Sequence, residues 1–147
     1  MMTRTEAIQM ILAKHPDALV VASNGLTSRE VAAVAPDRPT LLLLGAMGLA
    51  PAVGVGLAMA RQDIEVVVIE GDGNALMSQR TPAGPLVERY ILDNGLYETT
   101  GGQEVPREDL SQFGTVIQIK PGKLGAPRPP APEVIIGRVR EWLANKR

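Results

Sequence analysis

Cysteine is absent from this chain of 147 residues, and histidine and aromatic side chains are scarce. Without a thiol, neither a disulfide framework nor a thiolate metal site can form. The single histidine, His15, excludes a metal site built from several imidazoles, and no nucleophile-elbow motif accompanies it as a serine hydrolase requires. We expect His15 to be an exposed residue at a helix end. Because only 3% of the residues are aromatic, the core must consist of aliphatic side chains and methionine.

A strong charge of one sign and an uninterrupted apolar run are also missing. The formal net charge is −1, so the chain lacks the basic surface that nucleic-acid binding requires. Glycine and proline interrupt the longest apolar stretch, residues 41–60, whereas a membrane-spanning helix needs about 20 continuous apolar residues. The first residues begin an amphipathic pattern instead of an apolar signal core. We therefore expect a cytoplasmic protein without membrane segments.

The apolar residues that are present, 45% of the chain, are enough for one globular domain over residues 1–147. Short apolar runs predict buried strands at residues 19–22, 40–44, 64–69, 89–92 and 115–119. Helical patterns alternate with them, which indicates βαβ crossovers. The predicted fold is α/β, with three layers and a mostly parallel sheet flanked by helices.

The helical segments carry recognisable start and packing signals. Thr3 and Glu6 have the spacing of a capping box at the start of the first helix. Thr27 or Ser28 is expected to cap the second helix. Residues 50–60 are apolar nearly all round, which predicts a buried helix. The last helix is expected to bury a stripe formed by Val134, Ile135, Val139, Trp142 and Leu143.

Polar and glycine-containing segments follow the predicted strands at residues 45–48, 71–74 and 94–97. Ligands of open parallel sheets bind past the carboxyl ends of the strands. Asp72 directly follows a buried strand, and a carboxylate there suits Mg²⁺, which prefers oxygen ligands and shares them with phosphates. Asn94 follows the next strand and offers a neutral oxygen. Each Asp-Gly or Asn-Gly pair alone is usually an ordinary turn, but their joint placement favours a binding site.

The string Gly71-Asp72-Gly73-Asn74, followed by Asp93-Asn94-Gly95, resembles the diphosphate motif of thiamine-diphosphate enzymes. Longer strings occur in the order seen in sulfopyruvate and phosphonopyruvate decarboxylases, at residues 27–30, 45–48, 71–77, 92–103, 120–122 and 124–129. The resemblance covers nearly the whole chain. It implies the thiamine-diphosphate-binding fold and, within it, the diphosphate-binding domain.

The resemblance implies roles for individual residues. Mg²⁺ would be bound by Asp72, the side chain of Asn94 and the backbone carbonyl of Leu96. Met47 would have the catalytic role of holding thiamine diphosphate in its bent, reactive shape. Without the surrounding motif, Met47 would be interpreted as a residue that fills the hydrophobic core. With the turn after the first strand included, the expected cofactor-binding residues are Asn24, Gly25, Gly45, Ala46, Met47, Gly71, Asp72, Gly73, Asn74, Asn94, Leu96 and Tyr97.

The resemblance also implies a partner and a reaction. Enzymes of this type need a second domain that activates the pyrimidine ring, and no segment of this sequence is left to form it. We therefore expect a hetero-oligomer with a separate pyrimidine-binding subunit, acting as a decarboxylase on a small, acidic 2-oxo acid. Arg29 is a candidate for meeting a sulfonate or phosphonate group, against the alternative of a solvated surface residue.

Two other functions stay open at this stage. The path from Gly73 to Asn94 and the segment 105–118 are shorter than the family pattern, which supports a shortened, non-catalytic partner or regulatory subunit. An acetolactate-type carboligating subunit is the other alternative, and the segment 99–103 argues against it. A nucleotide-binding Rossmann domain is disfavoured because residues 45–48 lack the G-x-G-x-x-G spacing.

Overall fold

The predicted strands lie side by side in one parallel sheet. The structure is a computed structural model that describes residues 1–78, 86–123 and 125–146. Five strands pair in the order β2-β1-β3-β4-β5, all of them parallel. Their bounds are β1 Leu19–Ala22, β2 Thr40–Leu42, β3 Val66–Gly71, β4 Glu88–Asp93 and β5 Thr115–Gln118.

Helices cover both faces of this sheet, as expected for parallel strands. Their bounds are α1 Arg4–Lys14, α2 Leu26–Val34, α3 Ala50–Ala60, α4 Asp72–Met77 and α5 Pro132–Asn145, with a 3₁₀ turn at Leu110–Gln112. The predicted α/β class and its three layers are thereby confirmed. The predicted link between Gly73 and Asn94 and the predicted tail at 124–129 lie in part outside the described residues, at 79–85 and at Leu124.

Alternating residues of β3 face different hydrophobic clusters. Val67 and Ile69 of β3 face a cluster with α1, α2 and α5, whereas Val66 and Val68 face a cluster with α3. This alternation follows from the two-residue period of a strand. At Gly54 of α3, an added Cβ would lie 2.5 Å from Val68 Cγ2, so the helix backbone packs directly on β3.

The strand order creates a crevice at one edge of the sheet. The chain passes from β1 outward to β2 and then returns across β1 to β3, so the connections after β1 and β3 leave the sheet in opposite directions. Ligands of open α/β sheets bind at such a switch point, beyond the carboxyl ends of the strands. Residues 23–25 and 71–74 lie at this point.

Several local expectations are confirmed, and others are wrong. The capping box is present: the N–H of Glu6 donates to Thr3 Oγ1 at 3.2 Å, and the N–H of Thr3 donates to Glu6 Oε2 at 2.7 Å. Gly25, not Thr27 or Ser28, is the N-cap of α2. Ser28 instead lies inside the helix, where its hydroxyl donates to the carbonyls of Ser23 and Leu43.

The helix α3 is not buried on all sides as predicted. Only one side of it meets the sheet, through Ala50, Pro51, Gly54 and Ala58, while Met59 is 63% exposed. A similar correction applies to α5, in which Ile135 and Val139 are buried but Val134 is exposed. A surface helix presents only one side to the sheet, and composition does not say which apolar residues occupy it. Among the described helices, none is long and apolar enough to cross a membrane.

Candidate functional site

A cleft opens where β1, β3 and β4 end. Its walls contain ten of the twelve residues expected to bind a cofactor: Asn24, Gly25, Met47, Gly71, Asp72, Gly73, Asn74, Asn94, Leu96 and Tyr97. The structure therefore brings together segments from three different strand ends. Residues outside the expected set also line the cleft, among them Arg4, Leu26, Thr27, Leu92, Glu98 and Thr99.

Asp72 is the buried acid of this cleft. Its Oδ1 accepts a hydrogen bond from the N–H of Gly73 at 2.8 Å, and its Oδ2 accepts one from the N–H of Gly95, also at 2.8 Å. The residue is 5% exposed, and it forms no ion pair with any residue that the structure describes. A buried carboxylate without a cationic partner is costly to keep charged, so a bound cation would stabilise this arrangement.

The surroundings of Asp72 shift its acidity accordingly. Burial raises the pKa of this carboxyl from 3.8 to about 6, the N–H groups of Gly73 and Gly95 oppose the rise, and the neighbouring Asp93 adds to it. A divalent cation would supply the missing positive charge and favour the ionised form.

Asn94 stands at the end of the next strand, in a tight turn. The N–H of Leu96 donates to Asn94 Oδ1 at 2.9 Å, and the N–H of Gly95 also reaches Asp93 Oδ1 at 3.0 Å. Gly95 has a φ of +73°, a conformation that favours glycine. This turn presents the N–H of Gly95 to Asp72 and so connects the two strand ends.

The floor of the cleft is tightly packed around Gly73. An added Cβ at this position would lie 2.5 Å from Tyr97 Cε1 and 3.4 Å from Met47 Cε. Asn74 is buried, and its Nδ2 donates to Asn24 Oδ1 at 2.9 Å. The two asparagines thereby join the carboxyl ends of β1 and β3 at the switch point.

A buried ionic network supports the Asn94 side of the cleft. Arg4 Nη2 donates to Glu98 Oε2 at 2.5 Å, and Arg4 Nη1 donates to Glu30 Oε1 at 2.9 Å. All three side chains are at most 10% exposed. Asn94 Nδ2 donates to the same Glu98 oxygen at 2.6 Å, and the N–H of Gly122 donates to Glu98 Oε1 at 2.6 Å. Two carboxylates face one guanidinium, which adds negative charge beside Asn94.

Arg4 was missed as a site residue by the sequence reasoning. It stands in the first turn of an amphipathic helix, where an arginine is normally solvated. The chain distance of 94 residues between Arg4 and Glu98 leaves no local signal of their contact. Only the capping box pointed to this turn, and it indicates a helix start without any role in a site.

Two expected cofactor residues lie elsewhere. Gly45 and Ala46 are exposed in the connection between β2 and α3, outside the cleft wall. Ala46 has a φ of +56°, which is uncommon for a residue other than glycine. Arg29 lines a neighbouring groove that shares Asn24, Gly25, Leu26 and Thr99 with the cleft.

His15 lies at the amino ends of the strands, on the side of the sheet away from the cleft. It is buried, so the expectation that it is exposed is wrong. Its Nε2 is 2.8 Å from the hydroxyl of Tyr90, and its Nδ1 is 2.5 Å from Glu65 Oε1. Glu88 completes a group of three metal-ligating side chains there. The ammonium of Lys14 already lies 3.3 Å from Glu88 Oε2 and 2.8 Å from the Tyr90 hydroxyl, so this cluster has its own cation.

The residues of the cleft fit a hard cation and a phosphate-bearing ligand. The buried, unpaired carboxylate of Asp72, the amide of Asn94 and the carbonyl of Leu96 are oxygen donors of the kind that Mg²⁺ takes. The close approach at Gly73 leaves no room for a side chain on that residue.

Comparison with known proteins points to the same chemistry. The family described as "Thiamine pyrophosphate enzyme, C-terminal TPP binding domain" matches residues 23–125. The sulfopyruvate decarboxylase subunit beta of Methanothermobacter thermautotrophicus is 36% identical over 126 residues, covering 80% of this chain and 66% of that subunit. The corresponding subunit of Methanococcus maripaludis is 33% identical, with 70% of this chain and 58% of that subunit covered.

A longer relative aligns with a smaller part of its own length. The phosphonopyruvate decarboxylase of Streptomyces hygroscopicus is 43% identical over 109 residues, covering 69% of this chain and 27% of that enzyme. The aligned region thus spans from about a quarter to two thirds of these relatives. The family match covers more than half of this chain and includes every residue at the three strand ends of the cleft. The chain belongs to the thiamine pyrophosphate (thiamine diphosphate) enzymes and carries their C-terminal cofactor-binding domain.

Proposed function

We propose that this chain is the diphosphate-binding subunit of a thiamine-diphosphate-dependent decarboxylase that acts on an acidic 2-oxo acid. The observation that carries the proposal is the buried Asp72 carboxylate, which has no ion pair among the described residues and faces a cleft at the switch point of the sheet. The names of the relatives support the reaction class, because they are sulfopyruvate and phosphonopyruvate decarboxylases.

Mg²⁺ would be held by three oxygen donors of this chain. We assign it to the carboxylate of Asp72, the side-chain oxygen of Asn94 and the carbonyl of Leu96. The backbone N–H of Glu98 donates to the Leu96 carbonyl at 3.0 Å, and a carbonyl oxygen has a second lone pair for a metal. Within the network of Arg4, Glu30 and Glu98, Glu98 accepts from Nδ2 of Asn94 and so fixes the orientation of the amide.

The diphosphate would lie against Gly73 and Asn74. Tyr97 and Met47 pack against Gly73 where a Cβ would lie, which holds the Gly73 backbone in place at the floor of the cleft. Asn74 is held by Asn24 across the switch point, so its amide is oriented before any ligand binds. Gly25 and Gly71 complete the walls with small residues.

Met47 is proposed to support the cofactor's reactive ring. Its side chain is partly buried in the cleft wall, and its Cε approaches the position of a Gly73 Cβ to 3.4 Å. An unbranched thioether side chain fits an irregular ring surface. When bound, thiamine diphosphate supplies the electron sink for loss of CO₂. The carbonyl of Gly45 is proposed to contact the pyrimidine ring of the cofactor, and Ala46 is proposed to contact the cofactor, although neither lines the cleft.

A separate pyrimidine-binding subunit is the proposed partner, which would make the enzyme a hetero-oligomer. The relatives named as beta subunits support this proposal. Exposed apolar side chains also occur in the segment after β2, where Leu44 and Leu49 are each 52% exposed, and at Met77, which is 62% exposed and lies beside Gly48 of that segment. Clustered exposed apolar residues are typical of surfaces that another protein covers. We further propose that residues 1–147 form one domain and that the enzyme is cytoplasmic.

The proposal is tested by measuring cofactor binding and turnover separately. Thiamine diphosphate with Mg²⁺ should raise the melting temperature of the chain, or of its complex with the partner, by mass action. Asp72→Ala should abolish this rise. Asp63→Asn is the matched control, because Asp63 is an exposed carboxylate far from the cleft, paired with Arg61. Decarboxylation of acidic 2-oxo acids should require both subunits.

Two results would contradict the proposal. If the wild-type complex shows no cofactor-dependent stabilisation at saturating ligand, the cleft is not a thiamine diphosphate site. If the cofactor binds but no 2-oxo acid loses CO₂ with the partner present, the decarboxylase assignment is wrong.

A further inference from the structure

A second groove lies beside the cofactor cleft and is lined by positive charge. It runs between the start of α2, the residues after β2 and the segment before α5, and it shares four residues with the cleft. Three basic side chains line it: Arg29, which is half-buried, and the exposed Lys123 and Arg128. No carboxylate lines this groove in the described parts of the chain.

These three cations lack the ion pairs and side-chain hydrogen bonds that six of the ten other basic residues have in the described part of the chain. Arg4, Arg61 and Arg89 each pair with a carboxylate, and Arg38 and Arg138 donate to backbone carbonyls. Within residues 1–78, 86–123 and 125–146, by contrast, Arg29, Lys123 and Arg128 have neither an ion pair nor a side-chain hydrogen bond. A chain with a net charge of −1 therefore concentrates three unpartnered cations around one concave surface.

The start of α2 favours the same kind of ligand. α2 begins in this groove at Leu26, after the N-cap Gly25, which has no side chain to accept a helix N–H. The positive end of a helix favours an anion. α5 adds no comparable donors, because Pro132 has no N–H and the N–H of Val134 donates to the carbonyl of Ala131.

We propose that this groove binds the anionic tail of the substrate, with a tetrahedral oxyanion such as a phosphonate or sulfonate held by Arg29, Lys123 and Arg128. This inference rests on the proposed function, because it assumes that the keto end of the same molecule reaches the adjoining cofactor cleft. Asn24, Gly25, Leu26 and Thr99 form the wall common to both. A ligand that lies across this wall places its charged tail among the cations and its other end beside the cofactor.

The test uses backbone amide NMR of the intact chain, with inorganic phosphate and methylphosphonate as probes at constant ionic strength. Saturable shifts are expected for the amides of Arg29, Thr100 and Lys123, which line the groove and not the cofactor cleft. Loss of one charge-assisted contact should weaken binding by about 10-fold in Arg29→Gln and in Arg128→Gln. Arg140→Gln is the matched control. Arg140 is exposed on α5, about 12 Å further along the helix than Pro132, and its loss should leave the affinity unchanged.

Arg29 is half-buried, so a folding defect in Arg29→Gln must be told apart from a loss of binding. Arg128→Gln provides this control, because Arg128 is exposed and its variant should keep the wild-type melting temperature. An equal weakening in Arg128→Gln and Arg140→Gln, or shifts that never saturate, would overturn the proposal in favour of unspecific charge. Tighter binding of a glutamate hexapeptide that displaces phosphate would also overturn it, since the groove would then serve an acidic protein segment.

A titration with thiamine diphosphate and Mg²⁺ provides an independent measurement. It should shift the amide resonances of Gly73 and Gly95 and not those of the groove. Cofactor shifts without phosphate binding would reject the groove and keep the proposed function. Phosphate binding without cofactor shifts would reject the function and with it the assignment of the anion as a substrate tail. In the assembled enzyme, Arg128→Gln should raise KM about 10-fold for a 2-oxo acid with an anionic tail. It should leave kcat unchanged, and a 2-oxo acid with a neutral tail should be unaffected.

Discussion

Asn94 and Arg4 share one carboxylate oxygen: Glu98 Oε2 accepts from Asn94 Nδ2 at 2.6 Å and from Arg4 Nη2 at 2.5 Å. This arrangement ties a proposed Mg²⁺ ligand at the end of β4 to the first turn of the first helix. Because the amide nitrogen is held by Glu98, the amide oxygen of Asn94 has a defined direction. The proposed Mg²⁺ site thus depends on Glu98 and Arg4, neither of which is itself proposed to bind the metal.

Arg4→Met should destabilise the protein by about 3–5 kcal/mol, because it leaves Glu30 and Glu98 buried without their common cation. The measurement is the free energy of unfolding from urea denaturation. Arg140→Met, which removes an exposed cation from α5, should change stability by less than about 0.5 kcal/mol. Equal effects of the two substitutions would contradict the importance of the network.

Glu98→Gln should weaken Mg²⁺-dependent cofactor binding more than it weakens the fold. The glutamine amide retains an oxygen for Asn94 but loses the charge that attracts Arg4 and a nearby cation. Calorimetric titration with thiamine diphosphate at several Mg²⁺ concentrations separates metal affinity from cofactor affinity. Unchanged Mg²⁺ dependence would show that Glu98 serves only the packing of the loop.

Gly73→Ala should reduce cofactor affinity at least about 10-fold, since its Cβ would displace Tyr97 and Met47 into the cleft. Gly56→Ala, on the exposed side of α3, is the matched control. A Cβ on Gly56 meets nothing within 4 Å, so this variant should bind as the wild type does. Isothermal titration of both variants, with melting temperatures as a check on folding, distinguishes local blockage from general instability.

At pH values below about 6, the affinity of the site for Mg²⁺ should decrease. The pKa of Asp72 is raised to about 6 in the folded chain, chiefly by burial, and only the ionised carboxylate binds the metal. Without metal, the folded chain holds this proton more tightly than the unfolded chain. The contribution of Asp72 to stability is therefore full at acidic pH and declines as the pH rises towards 6. Melting temperatures with and without Mg²⁺ and cofactor, between pH 5 and 8, should diverge above that point.

Asp93→Asn tests the smaller contribution of Asp93 to the raised pKa of Asp72. Removing the neighbouring carboxyl should lower the pKa of Asp72 and move the onset of Mg²⁺-dependent stabilisation to a more acidic pH. An onset that stays in place would mean that Asp93 has no influence on Asp72.

Arg89→Met should cost about 3–5 kcal/mol of stability at neutral pH, because Glu70 is fully buried and Arg89 Nε donates to it. Burial already raises the pKa of Glu70 and Arg89 opposes the rise, so loss of Arg89 should raise the pKa further. The penalty should then be smaller at pH 4, where Glu70 takes up a proton. A double variant with Glu70→Gln should recover part of the loss in urea unfolding.

The positions of the strands, the fold class and the family are all visible in the amino-acid sequence. Runs such as residues 66–69 are apolar and β-branched, which favours a buried strand, and helical patterns between such runs favour parallel crossovers. The motif at residues 71–74 also follows its strand directly, so its place at the carboxyl edge of the sheet needed no knowledge of the other strands. These features are local, and a local pattern is visible in a single chain.

The tertiary structure alone decided which distant residues meet. Arg4 reaches Glu98 because α1 packs beside the loop after β4, and Gly45 and Ala46 stay outside the cleft because β2 lies at the edge of the sheet. His15 is buried because Tyr90 and Glu65 enclose its ring. The exposed side of α3 follows from the single face that the sheet offers to it. Periodicity specifies that a residue is apolar or polar, but the order of the strands and the direction of each side chain specify its neighbours.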